Sequence, residues 1–439
     1  RRNAEGEKID KKLKINIINL LVLDMKNRLI IVFVSALCLL SCKNSKPPVM
    51  ETGSVNPMPD EWIDEDTGHR IIKLVRREGD NRSFYFHNNP FIQQVKNEGD
   101  KMVFYGSDIQ SNPEGEGRRR PVSQLFTVNL KTLEIDQLTH QNFPISGEIV
   151  GNKRREVFFQ KRDSVFAVNA DNHEIRLIYV FPDSLYGSVT TINADETLLA
   201  GSYSDRKKLE LLRQFPRKGD YFTRIFEAKI PHTLITVDIE TGMMKPIFSD
   251  TAWLNHIQFS PTDPYLLMFC HEGPWHLLDR IWTINIQTGD VKLMHKRNVY
   301  REIAGHEFFS RDGKTIWFDL QIPRGETFYL AGLDMTTGLE KHYGLKRDEW
   351  SIHYNISPDQ KLFAGDGGDS SQVARAKDGM WLYLFTPAGD SLKSERLVNM
   401  KNHDYELEPN VHFSPDEKWI IFRADFKGSG SQVYAVEIK

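Results

Sequence analysis

One unit recurs along this chain: a polar turn, a strongly apolar strand, an alternating strand, and a closing Thr-Gly or Asn turn. The turns with their apolar strands read NEGDKMVFYG, GNKRREVFFQ, NADETLLAGS, SPTDPYLLMF, SRDGKTIWFD, SPDQKLFAGD and SPDEKWIIFR. Short strands recurring at a period of roughly 40–60 residues are the pattern of propeller blades rather than of a sandwich. The last copy reaches Lys439 after its third strand, and HRIIKLVR (69–76) matches the fourth. The expected fold is therefore all-β, a seven-bladed β-propeller closed by an N-terminal strand, which would remove an exposed sheet edge.

Residues ahead of the repeats read differently. Residues 1–24 lack Met and are expected to be an upstream extension. From Met25, a charged start (Lys26, Arg28) leads into the apolar run Leu29–Leu40 and then Leu40-Ser41-Cys42, which resembles a lipobox. The run is too short to span a bilayer. Residues 25–42 are thus expected to be a lipoprotein signal, with Cys42 lipidated. The polar, proline-bearing stretch 43–66 predicts a tether, leaving 67–439 for the propeller. The expected location is the periplasm or a membrane of a Gram-negative bacterium, with membrane contact only through the lipid. A net charge of −3 offers no basic surface for nucleic acid. Cys38, Cys42 and Cys270 are no disulfide framework, and Cys270 is expected to be buried.

Two stretches break the rhythm. Residues 203–229 predict a charged, partly helical insertion leaning over the funnel mouth, and 108–121 a solvated loop. Within the repeats, His256, His306 and His353 each lie four residues before a turn serine (Ser260, Ser310, Ser357). A fourth copy has Asn410 there and His412 two residues on, hence on the same strand face. Blades around an axis would bring these side chains together as a metal or proton-transfer site. The run CHEGPWHLLDRIWTI (270–284) adds His271, Glu272, His276, Asp279 and Arg280, and REIAGHEFF sets Arg301 and Glu307 near His306. An anchored arginine beside a histidine suits a carboxylate ligand. No G-x-S-x-G elbow, P-loop or H-E-x-x-H motif is present.

The strings YFHNNPF (85–91), CHEGPWHLLDRIW (270–282), GHEFFSRDGKTIWF (305–318), LFAGDGGD (362–369) and FSPDEKWIIFRADF (413–426) resemble the oligogalacturonate lyase family. Its members are seven-bladed propellers that cleave short pectic oligosaccharides by β-elimination with bound manganese. The resemblance implies His306 as the Brønsted base, Arg280 as the group neutralising the substrate carboxylate, and His353 as a metal ligand. The family's other ligands, a Gln and a His-Pro-His run, fall on YELEPNVHFSPD. There Tyr405 replaces the Gln, Glu408 and Asn410 replace the two His, and His412 is an addition. The implied metal set is thus His353, Glu408, Asn410 and His412. The cofactor is a divalent ion, manganese first, with calcium or zinc as alternatives. His256, His271 and Arg301 are expected to bind an oligogalacturonide. Alternatives are a lyase on rhamnogalacturonan or ulvan fragments, or a non-catalytic propeller binding glycans or peptides.

Overall fold

Single side chains build the closing turns. Asp238 Oδ1 accepts the N–H groups of Glu240 and Thr241 at 3.1 and 2.7 Å, and Asp334 Oδ1 those of Thr336 and Thr337 at 2.9 and 2.7 Å. Asn285 does the same for Gln287 and Thr288. The glycine that follows adopts φ of +67°, +80° or +69° (Gly242, Gly289, Gly338), which is why Thr-Gly marks these positions. At the other end, the hydroxyls of Ser310, Ser357 and Ser414 donate to Asp312, Asp359 and Asp416 at 2.6–2.7 Å. Each also accepts the N–H five residues on, from Thr315, Leu362 or Trp419.

A computed structural model describes residues 46–93, 98–107, 122–428 and 430–438. The chain between these turns forms successive antiparallel sheets. Four-stranded sheets span 146–180, 185–250 and 253–293, and a five-stranded sheet lies within 80–137. Two further meanders, 303–345 and 354–399, are joined by one parallel pairing, Gly344 with Ser391. In the remaining sheet Arg70–Lys73 pairs antiparallel with Gln432–Glu437, Ile71 opposite Val436. Apolar clusters fill the space between neighbouring sheets; one joins Phe158, Val165 and Ile178 to Leu199, Ile235 and Val237. A cavity of about 290 Å³ receives residues from every sheet or its leading segment, among them His87, Glu148, Thr191, Gln258, Phe308 and His412.

The upstream extension, the signal with Cys42, and the loop 108–121 lie outside the described residues. The expected tether is corrected from Val49 onward. Strand Val49–Met50 runs parallel to Glu61–Asp64, which pairs with Arg70–Lys73. Its anchor is Trp62, fully buried, whose indole donates to Thr52 Oγ1 (2.9 Å), and Thr52 donates to Asp64 Oδ2 (2.6 Å). The insertion folds as α1 (Lys207–Gln214) and α2 (Lys218–Ala228), between two strands of one sheet. Phe222 meets Trp253 with ring centroids 5.7 Å apart, and Lys208 lies over the same indole at 4.8 Å.

If Trp62 anchors this edge, Trp62→Ala destabilises the protein by about 3–5 kcal/mol. Urea unfolding followed by fluorescence of the remaining tryptophans reads the change.

Candidate active site

The histidine register is a repeated bulge. In Trp253–Phe259 the pairing slips between Asn255 and Gln258, and His256 adopts φ +47°. In Ile303–Phe309 it slips between Gly305 and Phe308, with His306 at φ +51°. Asn410 holds the same place at φ +52°. A bulged residue leaves the strand's alternation, and His and Asn tolerate left-handed backbone better than most residues. His353 arrives otherwise, just ahead of strand Tyr354–Ile356. Asp366 holds it twice, accepting its backbone N–H at 2.8 Å and facing Nδ1 at 2.7 Å.

These rings converge. His306 and His353 are 4.7 Å apart by centroid, Tyr85 lies 5.0 Å from His353 and 5.9 Å from His256, and His87 lies 6.1 Å from His256. His353 Nε2 is 3.2 Å from the Tyr85 hydroxyl. Nδ1 of His87, His256 and His306 is buried without a partner among the described residues. Burial first, then His353, His256 and Arg280, hold His306 well below its ordinary value, so it is a neutral base at neutral pH.

Beside the rings lies Arg280, its side chain 1 % exposed. Its Nη1 donates to Glu272 Oε1 (2.6 Å) and its Nε to Glu307 Oε2 (3.0 Å), leaving Nη2 without a partner. Trp275 covers the guanidinium at 4.6 Å and touches the His306 ring at 5.0 Å, so one indole walls both groups. Gly305 permits this, since a Cβ there would stand 2.5 Å from the Trp275 ring. Burial alone would raise the Glu272 carboxyl, but Arg280 and His256 overcome it and hold it at about 2. Lys208 feels that carboxylate too, although burial lowers its own ammonium to about 8.

A family model described as oligogalacturonate lyase matches residues 60–439. The chain belongs to this family. It is 24 % identical over 387 residues to an oligogalacturonide lyase of Pectobacterium atrosepticum, covering 84 % of this chain and 93 % of that one. An oligogalacturonate lyase of Dickeya dadantii is likewise 24 % identical over 389 residues, with the same coverage. Two solved oligogalacturonate lyases share the fold with a TM-score of 0.72. One is in complex with manganese (22 % identity, 87 % of this chain and 96 % of that one). The other, from Vibrio parahaemolyticus, is 24 % identical over 86 % and 96 %.

The chain does not gather the four ligands that the family resemblance implied. His353 Nε2 and Glu408 Oε2 face each other at 3.8 Å. Asn410 is spent on backbone: Oδ1 accepts the Phe86 N–H at 2.9 Å, and Nδ2 donates to Glu408 O. His412 has Nδ1 at 3.0 Å from Asn410 O and Nε2 at 3.2 Å from Asn88 O. Alternation failed here because the strand covers only His412–Phe413 and Asn410 is left-handed. Tyr405 donates to Asp366 O instead of pointing at the site. Among the described residues no group of three or more His, Cys, Asp or Glu is arranged to hold a metal ion. This arrangement does not fit a four-ligand manganese site.

Of the residues expected to contact substrate, His256 lies among these rings, its Nε2 3.6 Å from Glu272 Oε2. His271 does not. It follows Cys270 on a strand that turns Glu272 inward, so it faces the other side and stacks on Trp282 at 4.9 Å. Arg301 is exposed at the strand's entry and lines a separate cavity. Cys270 is buried beside Arg280, and burial raises its thiol well above the ordinary range. Sequence reasoning missed the parts played by Tyr85, His87, Trp275 and Asp366. The aromatic-histidine run YFHNNPF, which fits no repeat position, was the available signal.

Glu272 gains stability from a lowered carboxyl, so the gain is complete above pH 4.5 and fades as pH falls toward 2. Glu272→Gln should therefore cost roughly 3 kcal/mol between pH 7 and 5, taking ~1.4 kcal/mol per unit. Denaturation series should show the gap between the two proteins narrowing below that window.

Proposed function

We propose that this chain is an oligogalacturonide lyase working by β-elimination within a seven-bladed ring closed by Arg70–Lys73. The observation that carries the reading is the pairing of a neutral, partly unpartnered His306 with a buried Arg280 whose Nη2 is open. The ring is supported by the meanders, two of them fused into one sheet, and by the cavity that residues from all of them line.

The uronate carboxylate docks on the open Nη2 of Arg280, through a charge-assisted hydrogen bond. His306 takes the proton alpha to that carboxylate. The charge that spreads onto the enediolate meets Arg280 in a water-poor pocket, where such stabilisation is large. Collapse of the enediolate forms the C4–C5 double bond and expels the glycosidic oxygen, which takes a proton from water. Trp275 fixes the spacing of base and guanidinium, and Asp366 fixes His353.

A divalent ion, manganese by likeness to the neighbour that contains it, belongs to the proposal only through His353 and Glu408. Two such donors predict weak loading, and no step above depends on it. Calcium and zinc are the other candidates. We also propose export as a lipoprotein held through Cys42 in a Gram-negative periplasm. Among the described residues no helix is long and apolar enough to cross a membrane.

With digalacturonate, wild type should generate the near-ultraviolet absorbance of a 4,5-unsaturated uronate. His306→Ala should lose about 10²–10⁴-fold in kcat with its fold intact, and Arg280→Ala should fall comparably. Both variants turning over normally would refute the assignment. Calorimetry on the same protein should show manganese binding weakly; stoichiometric tight binding would mean that Asn410 or His412 turns inward. In cells, palmitate should label the full-length protein, and Cys42→Ala should abolish the label; equal labelling of both rejects the anchor.

A further inference from the structure

Lys208 is the second residue of α1, in its first turn. A cation there opposes the helix dipole, so helix stability does not account for it. Its half-buried side chain lies over the Trp253 indole at 4.8 Å, and among the described residues its ammonium has no hydrogen bond or ion pair. Burial penalises an unpaired ammonium and lowers this one to about 8, so it is still charged at neutral pH.

Contacts join this cation to the catalytic groups. Trp253 is the cross-strand partner of Glu272, and directly opposed residues share one face of a sheet. The indole beneath Lys208 therefore lies beside the carboxylate that holds Arg280 and faces His256. The second helix, α2, secures the same edge. Phe222 meets Trp253, and Phe226 lies against Gly273, where a Cβ would stand 2.4 Å from its ring. Gly273 follows Glu272 directly and leads into the turn of Trp275.

Apart from Glu272, the titratable groups around Lys208 supply no counter-charge. His232, on the strand that follows α2, is lowered to about 4 by burial and then by Lys208, and is neutral. Tyr221 of α2 meets the same indole, and burial raises its hydroxyl. Asp205, ahead of α1, is exposed and accepts the Lys207 N–H at 2.8 Å.

Digalacturonate carries two carboxylates, and Arg280 takes one. With Glu272 and Glu307 already on Arg280, the other meets a centre whose fixed charge is negative. We propose that Lys208 is a specificity-determining residue that pairs with the carboxylate of the departing uronate, the unit that leaves with the glycosidic oxygen. The inference rests on the lyase reading. It makes the site a reader of two adjacent uronates, and an ester in the departing position forfeits the ion pair.

The test compares digalacturonate with its monoester, methylated on the departing unit, at neutral pH. In wild type, KM should be lower for digalacturonate by about tenfold or more. Lys208→Met should bring the two KM values within about threefold by raising that for digalacturonate, and Lys208→Arg should restore the gap. Wild-type kcat/KM for digalacturonate should fall as pH rises past about 8, where the ammonium is lost, whereas Lys208→Arg should not show that fall. The absence of a gap in wild type, or a gap that survives Lys208→Met, overturns the role of Lys208 while digalacturonate cleavage keeps the lyase reading. An equal loss on both substrates, shared by Lys208→Arg, marks a structural lysine and overturns it too. Failure of wild type to cleave either substrate overturns both readings.

Discussion

The site depends on one buried cation. Arg280 is clamped between Glu272 and Glu307, carboxylates from neighbouring sheets, with 1 %, 5 % and 0 % of their side chains exposed. Taking such charges from water costs several kcal/mol per ion, recovered only when geometry is close and hydrogen bonds are filled. The two short bonds meet that condition and fix the guanidinium's plane, so that the spare Nη2 has a defined direction. The bulge makes this possible. In an ordinary strand His306 and Glu307 would point to opposite faces; with two residues opposite Phe318 alone, His306 can face the rings while Glu307 reaches Arg280.

Much of the fold was legible because its signals are local. The Asp-x-x-Thr-Gly turns are written in adjacent residues, and the hydrogen bonds that build them span two or three positions. The Ser-Pro-Asp and Ser-Arg-Asp-Gly turns are equally local. The histidine register was legible for the same reason, as a fixed offset from those turns. Its physical meaning, a left-handed bulge, was not, since a slip in pairing belongs to two strands and only one of them carries the histidine.

What stayed hidden depends on partners distant in the chain. Residues 49–66 look like a tether by composition, yet Trp62 is buried and the adjoining strand Arg70–Lys73 pairs with the far end of the chain. Asn410 and His412 look like inward ligands by spacing, but Phe86 and Asn88, more than 300 residues away, capture them. Asp366 is unremarkable in GDGGD until His353 folds against it. The resemblance placed the base, the arginine and one histidine in a shared neighbourhood. It could not say that the substituted ligand positions had been drawn into backbone hydrogen bonds.

Charge balance explains why positive groups gather around this centre. Arg280 already faces two carboxylates, so an incoming uronate meets a local field that one guanidinium does not neutralise. His306, neutral there, adds nothing to offset it. Positive charge has to come from outside the buried triad, and the chain supplies it from α1. Lys208 reaches in from α1 over Trp253, within the field of Glu272. A focused positive region on an acidic protein raises the local concentration of an anionic ligand without making the whole surface adhesive. The buried arginine therefore selects one carboxylate, and Lys208 makes its approach favourable.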